Sequence, residues 1–152
     1  MNLTVLVPFY NEENTLRDSV MGVINELSES KIILMNDKSS DDSLNIAKEL
    51  GKEFQNIIVL ENFENLGKGS ALKLSKNYID TSHVIIHDAD LEYDPKEFPL
   101  LIEPIENNKA DVVFGSRFQS GRPHRVVYFW HRIGNGFLTL LSNFFTDLNL
   151  SD

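Results

Sequence analysis

Three carboxylates fall within five residues in Asp88-Ala89-Asp90-Leu91-Glu92, soon after the apolar run Val84-Ile85-Ile86. At that spacing they repel one another. A hard divalent cation such as Mg2+ or Mn2+, which favours oxygen ligands, resolves the conflict. A cation held there can bridge carboxylates to a diphosphate and neutralise charge as a leaving group departs. The plainer reading is an acidic, solvent-exposed turn, since a bare Asp-x-Asp is common. Its position at the carboxyl end of a buried strand favours the metal.

Four other segments carry residue types that suit a ligand. Pro8-Phe9-Tyr10-Asn11-Glu12-Glu13 offers a proline that stops strand pairing, an Asn11 suited to cap a helix, and carboxylates at that helix's positive end. Asn36-Asp37-Lys38-Ser39-Ser40-Asp41-Asp42 is rich in turn and cap formers, yet Asp37 is also placed to accept hydrogen bonds from a base or ribose. Asn65-Leu66-Gly67-Lys68-Gly69 combines two glycines, which let a backbone approach a ligand closely, with a helix N-terminus that favours anions. Gly115-Ser116-Arg117 ends in a permanently charged guanidinium able to hold a phosphate bidentately. Each has its structural counterpart: a strand stop, turn punctuation, a flexible loop, a surface arginine.

The elements that must position these segments follow from the apolar pattern. Five short runs, Leu3–Pro8, Lys31–Asn36, Ile57–Glu61, His83–His87 and Asp111–Gly115, are nearly continuous in apolar character, as strands covered on both faces are. Between them lie helical spacings. Leu16, Val20, Val23, Ile24 and Leu27 form one stripe, and Asp42–Glu53 turns Leu44, Ala47 and Leu50 inward. A third helix follows Gly69 to about Tyr78, and a fourth follows Pro95. Alternation of this kind predicts right-handed crossovers and an α/β fold with a mostly parallel central sheet flanked by helices. In such sheets ligands bind at the carboxyl ends of the strands, where all five segments fall.

Composition narrows the function. The 152 residues suit one domain, and 41% hydrophobic content is too high for disorder. No apolar run reaches the ~18 residues that span a bilayer, and the N-terminus lacks a signal-peptide pattern. Zero cysteines exclude disulfides and thiolate–zinc sites and are compatible with a cytoplasmic location. The net charge of −9 argues against nucleic-acid binding. From Val112 to Thr146, however, there is no acidic residue, while Arg117, Arg122, Arg125 and Arg132 lie there, a local basic patch for a specific anionic partner. Neither G-x-G-x-x-G nor the Walker spacing occurs, which weakens dehydrogenase and P-loop readings.

In this order and at this spacing, the segments resemble glycosyltransferase family 2, in the branch of polyprenyl-phosphate sugar transferases such as dolichyl-phosphate mannosyltransferase. The resemblance covers essentially the whole chain. It implies a GT-A fold, whose Rossmann-like half binds a nucleotide-diphosphate sugar donor through Mg2+ or Mn2+, and an inverting transfer. Carried over by position, Pro8, Tyr10 and Glu12 resemble the nucleoside-binding loop, and Asp37 the acidic residue near the base. Asp88 and Asp90, around Ala89, resemble the metal motif, with Glu92 as third ligand where the family commonly has Gln. Lys68 lies in a loop typical of the family. Arg117 and Arg132 resemble phosphate contacts of donor and acceptor, and Asp152 the acceptor's general base. The second motif departs from the usual Asp-Asp-Gly-Ser: Asn36 removes a charge, and Lys38 in place of glycine demands a compatible backbone angle.

The tail, residues 126–145, places Trp130, Ile133, Phe137, Leu141 and Phe144 at helical intervals. A core helix is the first reading of that stripe. The alternative is an interfacial helix with its aromatics in a lipid surface and arginines at phosphate headgroups, which fits a lipid-phosphate acceptor and a peripheral place at the membrane. Leu148–Asp152 carries no stop signal or cap, so the chain reads as part of a longer protein, with transmembrane helices conceivable beyond it. The organisation expected is one GT-A domain over 1–152, nucleotide-sugar-binding to about residue 117 and acceptor-side from 118. Rival readings are a non-catalytic nucleotide-sugar-binding module, a transferase acting on a saccharide acceptor, a nucleotidyltransferase, and a receiver-type phosphoacceptor. The nucleotidyltransferase would need a Gly-rich basic loop after the first strand, and the receiver gives no reason for the Asn65–Gly69 loop or the basic tail.

Overall fold

The computed structural model describes residues 2–115 and 129–147. The chain divides into two compact units, Met1–Pro99 and Leu100–Asp152. In the first unit the order is β1 (Leu3–Phe9), α1 (Leu16–Glu26), β2 (Lys31–Asn36), α2 (Ser43–Glu53), β3 (Ile57–Glu61), α3 (Lys68–Ser75) and β4 (His83–Ile86). All three pairings are parallel, in the strand order β3-β2-β1-β4. Val5 sits at the centre of the register, opposite Ile32 on one side and Ile85 on the other.

Continuous apolar runs give continuously buried strands only at the centre of the sheet. The edge strands β3 and β4 are partly covered, and in β4 Val84 and Ile86 are exposed, so the strand before the acidic loop is not the buried one expected. Every residue of β1 is buried, as are Ile32 to Asn36 of β2. α1 contributes Leu16, Val20 and Val23, and α2 contributes Ala47 and Leu50, all without exposed surface. Truncating one such side chain, Leu16→Ala for example, costs about 2–5 kcal/mol through lost transfer energy and the cavity left behind. α1 also packs against the 3-10 turn Pro95–Glu97. Gly22 permits this, since a Cβ there would meet the Pro95 ring at 3.2 Å.

Pro8 does not end β1 but lies inside it, opposite Met35. The reason is the parity of the ladder. Leu6 O bonds His87 N on the β4 side, whereas Phe9 O bonds Asp37 N on the β2 side. The missing N–H of Pro8 therefore faces the side where β4 has already ended, and no ladder bond is lost.

At the other end of the first unit Asp94 Oδ1 accepts from Lys96 N at 3.0 Å and opens the 3-10 turn that leads into α4 (Phe98–Glu106). The second unit holds the remainder of α4, the segment to Gly115, and α5 (Phe129–Thr146). Asp111–Gly115 is not the fifth strand expected: it pairs with no strand among the described residues, and Val112 and Phe114 are exposed. An apolar run has β-propensity, but without a neighbouring edge to complete its hydrogen bonds it stays irregular.

α5 also departs from the expected core helix. Trp130, Phe137 and Phe144 are 75, 59 and 79% exposed, and Leu138, Leu140 and Phe145, off the predicted stripe, are exposed as well. The apolar residues of α5 share one half of the helix circumference, with Arg132, Asn135, Thr139, Ser142 and Asn143 on the other. The helix is therefore amphipathic, and its apolar face is left uncovered among the described residues. No helix among the described residues is long and apolar enough to cross a membrane.

Candidate active-site cleft

The site is assembled at the carboxyl ends of β1, β2 and β4, in the first unit. Two loops there are tied to each other. Asn11 N donates to Ser39 Oγ at 3.0 Å, Glu12 N to Ser43 Oγ at 2.7 Å, and Glu13 N to Asp41 Oδ2 at 3.1 Å. In return Ser40 N donates to Asn11 Oδ1 at 2.8 Å and Asp42 N to Glu13 Oε2 at 3.1 Å. Asn11, with φ of 56°, thus does not cap α1; that helix starts at Leu16, and Glu12 O receives the Thr15 and Leu16 amides. Its carboxamide is committed to the neighbouring loop. The serines and aspartates that read as turn punctuation are the other half of this interlock.

Asp41 is held by the same net. Its slight burial pushes its pKa up, but hydrogen bonds from the Ser43 hydroxyl and from backbone amides outweigh this and leave it below the usual carboxylate value.

Asp37, 4% exposed, is the second organising residue. Its Oδ1 accepts from Asn62 Nδ2 at 2.6 Å and Leu66 N at 3.1 Å, and its Oδ2 from Gly67 N at 2.7 Å. One buried carboxylate thereby fixes the loop that begins α3, and charge-assisted bonds to backbone amides are the strong kind. Gly67 turns that corner at φ 82°, where a side chain would be strained. Lys38 occupies the left-handed region at φ 63°, the angle its glycine-like position requires. Asn36 Oδ1 accepts from Ser39 N at 2.9 Å, the acceptor role an aspartate would serve, while its buried Nδ2 has no partner among the described residues.

The acidic loop after β4 forms the opposite wall. Lys68 Nζ, at the first residue of α3, pairs with Asp88 Oδ1 at 2.5 Å. Asp90 Oδ1 accepts from Glu92 N at 3.0 Å, closing a short turn. Beneath it His87 is buried, its Nε2 3.0 Å from Ser19 Oγ and its ring edge-on to Phe98. Burial lowers the His87 pKa against the opposing pull of Asp88 and Asp90, which favours the neutral ring.

Together these walls enclose an open cleft of about 260 Å³ lined by Pro8, Phe9, Tyr10, Glu12, Asp37, Lys68, Asp88, Ala89 and Asp90. The nucleotide-binding candidates of the sequence and Asp90 meet in one place. Phe9 is the lining residue the sequence reading passed over; its signal was its place between Pro8 and Tyr10 in one strand end. Ser19 and His87, under the acidic loop, were also passed over, and nothing in helix α1's spacing marks Ser19 out. Glu92 is exposed and does not line the cleft. Arg132 lies on α5 in the second unit, and Arg117 and Asp152 fall outside the described residues, with Arg122 and Arg125.

Among the described residues no group of three His, Asp or Glu side chains converges as a ready metal cage. Asp88 and Asp90 nevertheless supply hard oxygen donors on one wall of the cleft, the chemistry Mg2+ and Mn2+ take.

Comparison with known proteins agrees with this architecture. Residues 4–149 match the family described as Glycosyl transferase family 2. The dolichol-phosphate mannosyltransferase of Pyrococcus furiosus is 29% identical over 80% of this chain; the chain spans 34% of that relative's length. S. aureus TarS 1-349, solved in complex with UDP-GlcNAc, superposes with a TM-score of 0.66 at 20% identity, over 83% of this chain and 37% of its own. Glucosyl-3-phosphoglycerate synthase from Mycobacterium tuberculosis, solved with Mn2+, UDP and phosphoglyceric acid, gives a TM-score of 0.56 at 27% identity over 68% of this chain and 38% of its own. The parallel sheet flanked by helices is the GT-A fold.

Proposed function

Because the chain belongs to glycosyl transferase family 2, we propose that it carries the donor site of an inverting, metal-dependent glycosyltransferase that moves a hexose from a nucleotide-diphosphate sugar of UDP-glucose or GDP-mannose type to a polyprenyl phosphate. The observation that carries this reading is the convergence of Asp37, Lys68, Asp88 and Asp90 on one cleft at the strand ends.

Pro8, Tyr10 and Glu12 bound the pocket for the nucleoside, with Asp37 at its floor. Asp88 and Asp90, with Ala89 between them, are the residues to hold Mg2+ or Mn2+, and Glu92 is assigned as a third ligand by resemblance. When bound, the cation supplies positive charge against the departing diphosphate. Arg117 and Arg132 are assigned to the phosphates of donor and acceptor. A phosphate-monoester oxygen attacks the anomeric carbon from the face opposite the diphosphate, the bond from that carbon to the diphosphate oxygen breaks, and the nucleoside diphosphate leaves with the electron pair. That oxygen is already ionised near neutral pH, so little base catalysis is needed. A hydroxyl acceptor would draw on Asp152. The exposed aromatics of α5 support a lipid-facing role at a membrane surface, and the relative from Pyrococcus furiosus is named for a dolichol-phosphate acceptor.

The test is transfer of radiolabel from GDP-mannose or UDP-glucose, with Mn2+, to vesicles with and without dolichyl phosphate. Label entering the organic phase from one donor, only with dolichyl phosphate present, is the expected result. Label moving solely to an added saccharide would replace the lipid acceptor by a sugar. Label staying on the donor with every acceptor would contradict transfer and leave a nucleotide-sugar-binding module.

A further inference from the structure

Among the described residues one lysine lines the cleft, and it is already paired. Lys68 Nζ sits on Asp88 Oδ1, the carboxylate assigned to the metal, and the side chains remain 52 and 31% exposed. Its backbone cannot drift away, because the preceding residue is tied to Asp37 through the Gly67 amide. Its flexible four-carbon stem, however, leaves the ammonium free to move between partners in the cleft.

Resting on the donor-site reading above, we propose that Lys68 is an exchangeable counter-cation. It holds Asp88 while no metal is bound, yields that carboxylate to the divalent cation, and carries its freed charge to a diphosphate oxygen of the donor. Two consequences follow from linkage. Lys68 competes with the metal alone, yet favours the metal and diphosphate together, so each ligand raises the other's affinity through this side chain. Lys68 is also the first residue of α3, so a helix N-terminus, which favours anions, borders the cleft.

The experiment is Mn2+ binding followed by electron paramagnetic resonance of the free ion, without nucleotide and then with GDP or UDP. It is run on the wild-type chain, Lys68→Met and Lys68→Arg, with circular dichroism as the check of folding. Lys68→Met is expected to bind Mn2+ alone about two- to fivefold more tightly, the range an exposed ion pair supports. At saturating Mn2+ it is expected to bind the nucleotide about tenfold more weakly, as loss of one charge-assisted hydrogen bond dictates. Lys68→Arg should restore most of both effects. Unchanged or weaker Mn2+ binding by Lys68→Met overturns the competition, and unchanged nucleotide affinity overturns the transfer to diphosphate; either result leaves the donor site standing. A wild-type chain that binds neither Mn2+ nor nucleotide overturns the inference and the donor-site reading together.

Discussion

The two walls of the cleft are built differently. On the β1–β2 side, reciprocal hydrogen bonds join residues 11–13 to residues 39–43, and Asp37 spends both carboxylate oxygens on three donors. On the β4 side, Asp88 and Asp90 are held by an exposed lysine and one turn bond. A net of that kind fixes a shape before any ligand arrives, as recognition of a rigid nucleoside requires. Two carboxylates with few commitments can instead rearrange around a cation. The difference teaches that charge at a strand end has two uses: inward it organises loops, and outward it waits for a ligand.

The largest expected effect comes from breaking the organised wall at its centre. Asp37→Ala leaves the Asn62 amide and the Leu66 and Gly67 backbone N–H groups without their acceptor, and should lower stability in urea unfolding by about 2–4 kcal/mol. Hydrogen exchange at Leu66 and Gly67 should quicken with it. A loss under about 0.5 kcal/mol would erase the distinction between the walls.

Ser43→Ala removes the acceptor of Glu12 N and the hydroxyl bond to Asp41, and is expected to cost about 1 kcal/mol in the same assay. No measurable loss would mean the two loops are only neighbours. Lys38→Gly relieves a left-handed residue costing roughly 1–2 kcal/mol, offset by the roughly 0.5–1 kcal/mol of added chain entropy, for a net gain of about 0.5 kcal/mol. The Lys38–Glu61 pair lost with it, at 3.7 Å, is exposed and contributes little. Destabilisation by Lys38→Gly would show that the side chain, not the angle, matters there.

The smallest effect concerns pH. Asp41 has its folded pKa depressed below 3.8, so it contributes stability above that value and loses it as pH falls through the folded pKa. Melting temperatures followed below pH 4 should therefore fall less steeply in Ser43→Ala than in the wild type. Parallel curves would separate Asp41 from the interlock.

Much of this site was legible in the residues because strand ends announce themselves. Continuous apolar runs located β1 to β4, and the polar segments after β1, β2 and β4, with Lys68 at the start of α3, supply the cleft lining. Lys38 could be read as a glycine-like position, and its φ of 63° agrees. What stayed hidden depends on partners remote in sequence. That Asn11 binds Ser40 instead of capping α1, or that Asp37 grips Gly67, follows from parallel strands bringing loops together, and no local pattern encodes it. Asp111–Gly115 has the same apolar signature as a strand, but pairing is a property of two segments. For α5 the apolar face at helical spacing was visible, but what covers such a face is a property of its neighbours, and Trp130, Phe137 and Phe144 stand exposed.

The donor site itself is tested most directly by calorimetric titration of GDP and UDP, with and without Mn2+, against the wild type and Asp90→Ala. The account predicts that one nucleotide binds, that binding depends on Mn2+, and that Asp90→Ala abolishes it while unfolding stability stays within about 0.5 kcal/mol, as for a residue outside the loop net. Binding that ignores both Mn2+ and the Asp90→Ala substitution, or no binding of either nucleotide under any condition, would contradict it.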